Sequence, residues 1–194
     1  MNSNKRPDFH AFTIKHNGIS NIFITDIGVS DVFDPRNPPD PIPILYNTKG
    51  LWDTGATNSV LTTETIKAMG LQPVGLTSVN HAGGSSQSNT YLVNFVLPNT
   101  VGVAGILVTE CPRLVNNAGA LIGMDIISRG DFSITNAGGL SQMTFRVPSV
   151  AHIDYVVEAR RIKYAGVGRN DPCPCGKKGA NGKRLKFKKC CGKN

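Results

Sequence analysis

Two groups of residues in this chain of 194 have the side chains and spacing to do chemistry. The first is Asp53-Thr54-Gly55-Ala56, which occurs once, within Leu51-Trp52-Asp53-Thr54-Gly55-Ala56-Thr57-Asn58-Ser59-Val60-Leu61. An apolar strand delivers a carboxylate into a tight turn, and a second apolar segment leaves it. Such a carboxylate activates water when a second one shares its proton, because like charges about 3 Å apart cannot both ionise. If this single turn is active in that way, the second carboxylate must come from another copy of the chain. The second group is Cys173, Cys175, Cys190 and Cys191, four thiols within 19 residues. In a reducing compartment this pattern points to zinc rather than disulfides. Four thiolates complete a zinc tetrahedron, so such a site is structural and has no open catalytic position.

The elements that must hold these residues are mostly strands. Phe9 to Ile14 and Ile19 to Ile27 read as strands joined at Asn17-Gly18, the strongest short hairpin signal. Residues 34–43 hold five prolines and form a loop. Ile44 to Trp52 is the strand entering the Asp53 turn. Thr62 to Met69 reads as a short helix with a threonine cap and Gly70 at its end. Ser78 to Ser88 is a flexible Gly/Ser-rich hairpin tip. Further strands are expected at 91–97, 101–108, 131–135 and 142–147, with an apolar segment at 120–129. A helical connector is expected over Ile153 to Tyr164.

Charge separates the chain into two regions. Residues 1–166 carry 12 Lys/Arg and 12 Asp/Glu, whereas residues 167–194 carry nine basic residues and one Asp, the source of the net +8. The body is therefore neutral and the cysteine-bearing tail basic, which favours acidic surfaces. The N-terminus lacks the apolar stretch of a signal peptide, and no apolar run is long enough to span a bilayer. A cytoplasmic location with no membrane contact is expected.

Two further features accompany the Asp53 turn: Gly83-Gly84 at the hairpin tip, and Leu121-Ile122-Gly123-Met124-Asp125 about 70 residues downstream. Together they resemble the retropepsin-like aspartic proteases, the single-lobe family of retroviral proteases and bacterial relatives. The resemblance covers roughly residues 10–148. It implies a mainly β, closed single-lobe barrel with one or two short helices, active as a homodimer on polypeptides. Carried over residue by residue, Asp53, Thr54 and Gly55 are catalytic, Gly83 and Gly84 form a flap over the substrate, and Leu121-Ile122-Gly123 packs beside the catalytic loop. Thr54 then ties the two loops across the dimer axis, and Gly55 lets the backbone approach substrate. Ala56 cannot donate a hydrogen bond to the dyad as serine or threonine would, so the shared proton is expected to persist to higher pH than in an acid-adapted enzyme.

The tail, with Gly168-Arg169-Asn170-Asp171-Pro172-Cys173-Pro174-Cys175-Gly176 and Lys188-Lys189-Cys190-Cys191-Gly192, resembles the SEC-C motif of the bacterial preprotein translocase ATPase. That resemblance assigns zinc to Cys173, Cys175, Cys190 and Cys191. It implies an adaptor for an acidic protein partner, or for ribosomes and nucleic acid. Fourteen residues separate Cys175 from Cys190, more than is usual in the family, with Gly179-Ala180-Asn181-Gly182 apparently inserted. The expected organisation is a protease domain over 1–148, a linker over 149–166 and the zinc-binding motif over 167–194. The combined reading is a bacterial aspartic endopeptidase whose tail recruits partner or substrate. Its rivals are a non-enzymatic dimeric peptide-binding adaptor and a ribosome- or nucleic-acid-associated protein.

The remaining candidates have plainer readings. Asp125 is expected to be structural, as a cap on the helix that follows it. Trp52 is expected to pack, Cys111 to be a buried inert thiol, and His81 to be solvated.

Overall fold

The computed structural model describes residues 10–81 and 84–193. The chain divides into two units, Met1–Val150 and Ala151–Asn194.

In the first unit, β1 (His10–Lys15) precedes β2 (Phe23–Asp31), β3 (Tyr46–Trp52) and β4 (Val60–Thr62). Helix α1 (Thr63–Met69) leads to β5 (Gly75–His81), β6 (Gly84–Val96) and β7 (Gly102–Cys111). Then come β8 (Ala120–Ile122), α2 (Met124–Ile127), β9 (Asp131–Thr135) and β10 (Gln142–Val147). The larger sheet runs β2-β3-β8-β4-β7-β6, and β6 pairs back with β2 to close a six-strand barrel. Strand β5 extends beyond that barrel as the outer arm of a hairpin with β6. The smaller sheet is β1-β10-β9.

The barrel is filled by the inward residues of alternating strands. Val29, Leu61, Val93, Phe95, Val108, Ile122 and Ile126 are fully enclosed. Between the sheets lies an aromatic cluster. Trp52 stacks on Phe132 at 5.9 Å and meets Phe145 at 5.1 Å. Its indole N–H donates to Thr25 Oγ1 at 2.9 Å, which satisfies the polar end of a buried ring. Trp52 is thus a packing residue.

Three local expectations shift. The strand expected over Ile19 to Ile27 begins at Phe23, and β1 does not form a hairpin with it. Ser141 draws the intervening segment away: His16 N–H donates to its carbonyl, its N–H donates to Gly18 O, and its hydroxyl accepts from Ser20 N–H. That pulls β1 onto β10 instead. The hairpin tip expected over Ser78 to Ser88 is mostly strand, since β5 and β6 stay paired as far as His81 opposite Gly84. Gly83 lies outside the described residues, while Gly84 sits at φ 126, a conformation that suits glycine. Helix α1 begins at Thr63 with Thr62 as cap, its hydroxyl accepting from Thr65 N–H, and ends at left-handed Gly70.

In the second unit, α3 (Tyr155–Lys163) starts at Asp154, whose carboxylate accepts from the N–H groups of Val156 and Val157. The cysteine-bearing segment follows. Among the described residues, no helix is long and apolar enough to cross a membrane.

Candidate active site and metal centre

The Asp53 turn follows from the order of strands. β8 lies between β3 and β4, parallel to one and antiparallel to the other. The chain leaving β3 must therefore cross the end of β8 before returning as β4. Asp53 sits at the start of that crossing, where its N–H donates to Ile122 O at 3.0 Å. Ala56 N–H donates to Asp53 O at 3.3 Å and closes the turn. Gly55 N–H donates to Asp53 Oδ1 at 2.8 Å and fixes the carboxylate. Asp53 is half-buried, and Thr54 and Gly55 are exposed beside it.

A second tier holds the turn from beneath. The first N–H groups of α2 have no partners within their own helix. They donate to the turn instead, Met124 N to Ala56 O at 2.8 Å and Asp125 N to Thr57 O at 3.1 Å. Gly123 is needed here, because a Cβ would come within 2.6 Å of the Asn58 carbonyl carbon. Ser59 is fully enclosed. Its hydroxyl donates to Asp125 Oδ1 at 2.7 Å and accepts from Gly123 N–H at 3.0 Å, while its own N–H donates to Asp125 Oδ2 at 3.0 Å. Asp125 is therefore structural but does not cap its own helix, whose cap position is Gly123. It braces the strand leaving the Asp53 turn. The sequence reading missed Ser59. The available signal was a small polar residue at the start of an apolar strand, a position that demands a partner.

The β5–β6 hairpin stands beside this turn. Thr77 and Ser78 of β5, with residues 55–58, line a groove of about 440 Å³.

Residues 46–129 match the family model of the gag-polyprotein putative aspartyl protease. That span contains β3, the Asp53 turn, the hairpin, and the β8–α2 brace. Over that span the body of this chain is similar to this aspartyl protease family. A retropepsin-like aspartic protease from Rickettsia conorii is similar at 16% identity, covering 73% of this chain and 98% of its own, with a TM-score of 0.43. No curated protein matches the chain.

Away from the Asp53 turn, Glu110 forms a carboxylate hub in the body. Glu110 accepts from the hydroxyl of Thr63 at 2.6 Å, the hydroxyl of Tyr91 at 3.0 Å and the amide of Asn89 at 3.3 Å. The Thr63 bond, opposed by burial and aided by Tyr91 and Asn89, holds its carboxyl below the usual range. This hub ties α1 and β6 to β7. The neighbouring Cys111 is half-buried rather than enclosed; burial and the Glu110 charge push its thiol up, away from reactivity.

The second unit brings all four tail cysteines together, their sulfurs lying within 4.8 Å of one another. Cys175 Sγ is 3.4 Å from both Cys173 and Cys190, and Cys190 is 4.0 Å from Cys191. A thiolate tetrahedron around an ion at 2.3 Å has edges of about 3.8 Å, within the range these separations span. The inserted residues form a small hairpin. Gly179 N–H donates to Lys183 O, Gly182 N–H to Gly179 O, and Lys178 bridges to Arg184. Leu185 N–H then donates to Lys177 O and Cys173 N–H to Leu185 O, which returns the chain to the cluster. Burial acts to raise the Cys173 thiol, but hydrogen bonds from the Cys191 and Cys175 backbone hold it down to about 6. Cys190, hydrogen-bonded to Cys175 and crowded by the other sulfurs, is pushed up to about 12. Such a cluster keeps protons on some of its thiols until a cation replaces them. The four residues can hold a metal ion.

Proposed function

We propose that the chain is an aspartic endopeptidase acting as a homodimer, with Asp53 of each copy forming the catalytic dyad. The observation that carries this reading is the bracing of the Asp53 carboxylate. It is fixed by Gly55 N–H, seated on Ile122, and supported by Gly123, Ser59 and Asp125. A turn needed only to reverse the chain has no use for this second tier.

In this mechanism one carboxylate takes a proton from water as the water attacks the scissile carbonyl carbon. The other gives the shared proton to the carbonyl oxygen. The resulting diol collapses as the protonated carboxyl gives its proton to the nitrogen and the other carboxylate takes a proton from a diol hydroxyl; the C–N bond breaks and the dyad again holds one proton. Thr54 links the two turns across the two-fold axis, and Gly55 leaves room for the substrate backbone. Gly83 and Gly84 let the hairpin bend over an extended peptide and exclude water.

The tail binds one structural zinc through Cys173, Cys175, Cys190 and Cys191, as a SEC-C motif. Zinc supplies the folding energy of a unit with few buried side chains. The second unit carries 12 Lys/Arg against three Asp/Glu, which suits recruitment of an acidic partner or substrate. The same charge favours a second reading, association with ribosomes or RNA, marked by a steep salt dependence that disappears when residues 167–194 are deleted. Both readings place the protein in the cytoplasm.

The test is cleavage of a peptide library by wild type and Asp53→Asn, each with and without a zinc chelator. Cleavage lost in Asp53→Asn and retained with chelator supports the assignment. Equal cleavage by both proteins ends it.

A further inference from the structure

We propose that the groove beside the Asp53 turn is a substrate subsite selective for uncharged hydrogen-bonding side chains, those of serine, threonine, asparagine and glutamine, over aliphatic and aromatic ones. The proposal rests on the proteolytic reading above and names the substrate class of that site.

The groove is formed by residues 55–58 with Val60, Thr77, Ser78 and Thr109, and holds about 440 Å³. Five of its lining side chains end in a neutral polar group: Thr57, Asn58, Thr77, Ser78 and Thr109. Four of them are exposed; Thr109 is the exception, being only 9% exposed. None of the five has a hydrogen-bond partner for its side chain among the described residues, nor does any count among the enclosed, unsatisfied polar atoms. Thr109 is the most telling. Its backbone N–H is engaged with Ser59 O at 3.4 Å, while its hydroxyl is left for whatever enters the groove. Val60 is the one larger apolar residue of the lining, and it is half-buried.

An aliphatic side chain entering this space displaces water from several hydroxyls and an amide and returns no hydrogen bond. Each uncompensated group opposes binding. A hydroxyl or carboxamide side chain both donates and accepts, so it replaces the water it displaces. A charged side chain gains no counter-ion, because among the described residues no Asp, Glu, Lys or Arg lines the groove. In so open a site the preference for a hydrogen-bonding side chain over an aliphatic isostere is on the order of tenfold.

The experiment has two arms on the full chain. In the first, wild type cleaves a degenerate peptide library, and the products are sequenced. Serine, threonine, asparagine or glutamine should be enriched over valine and leucine by about tenfold at a position flanking the cleaved bond. Thr109→Val and Thr77→Val should each move that position toward aliphatic residues. Thr77 is exposed on β5, so its variant carries the test if Thr109→Val does not fold. Aliphatic or aromatic preference at every flanking position in wild type, or an unchanged preference in both variants, overturns the proposal. In the second arm, Asp53→Asn is applied to an array of the same peptides and binding is read without cleavage. If wild type cleaves nothing, the proteolytic reading fails and this arm decides the subsite. Binding selective for polar side chains and weakened by Thr77→Val supports the subsite; unselective or absent binding overturns it.

Discussion

Replacing Ser59 with alanine removes a single oxygen, yet it should destabilise the body by about 2–4 kcal/mol. The hydroxyl is fully enclosed and makes two hydrogen bonds, one given to Asp125 and one taken from Gly123 N–H. A hydrogen bond to a charged acceptor contributes about 1.5–3 kcal/mol, and an orphaned buried donor costs about 1–3 kcal/mol. The two overlap because Asp125 keeps its bond from Ser59 N–H, so the total falls short of the larger sum. For a body of this size the midpoint of thermal unfolding should drop by about 4–15 °C. Trp52 is the sole tryptophan and is buried against Phe132, so its fluorescence reports unfolding of this unit alone. Asp125→Ala removes the other end of the same bond. A double-mutant cycle should give a coupling of about 1 kcal/mol or more between the two sites. A loss under about 0.5 kcal/mol for Ser59→Ala, or additive effects in the cycle, would refute the bracing role of this pair.

Other outcomes follow from the same geometry. Gly123→Ala should lower activity at least as far as Ser59→Ala, because its Cβ meets backbone at Asn58 that cannot rotate away; turnover and circular dichroism separate displacement of the turn from unfolding. Native protein should contain one zinc per chain by elemental analysis, and Cys190→Ser should lose it while the Trp52 unfolding transition stays in place. Ala56→Ser adds a donor near the dyad and should move the acid limb of the pH–rate profile to lower pH, whereas a wild-type optimum at or below about pH 4 would contradict the role given to Ala56. Glu110 has a lowered folded-state pKa, so its contribution is present above the unfolded value near 4.3 and is lost as pH falls through the lower folded one. Glu110→Gln should therefore lose less stability than wild type between about pH 5 and pH 3 in urea titrations.

How far the sequence could be read depended on whether the signal was local. The strand into Asp53, the capped helix after Thr62 and the strands at 131–135 and 142–147 are set by alternation and by cap residues. Each of these acts over a few positions. The four cysteines were legible as a metal-holding cluster because tetrahedral metal geometry constrains residue type as well as spacing. The Asn17-Gly18 hairpin was misread because Ser141, more than 120 positions away, supplies the competing hydrogen bonds. The role of Asp125 was misassigned for the same reason. A cap and a brace look alike in sequence, and the partner that distinguishes them, Ser59, is 66 positions distant. The lining of the groove was out of reach altogether, since it joins β5, β7 and the Asp53 turn.

Subunit mixing tests the central claim, that one Asp53 from each of two copies makes the site. Wild type is held constant above the dimer dissociation constant while Asp53→Asn is added, and peptide cleavage is followed after exchange. If mixed dimers are inactive, about a ninefold excess of the variant should reduce cleavage to about a tenth. Cleavage that stays constant as Asp53→Asn is added, or cleavage by Asp53→Asn alone, would contradict a shared dyad.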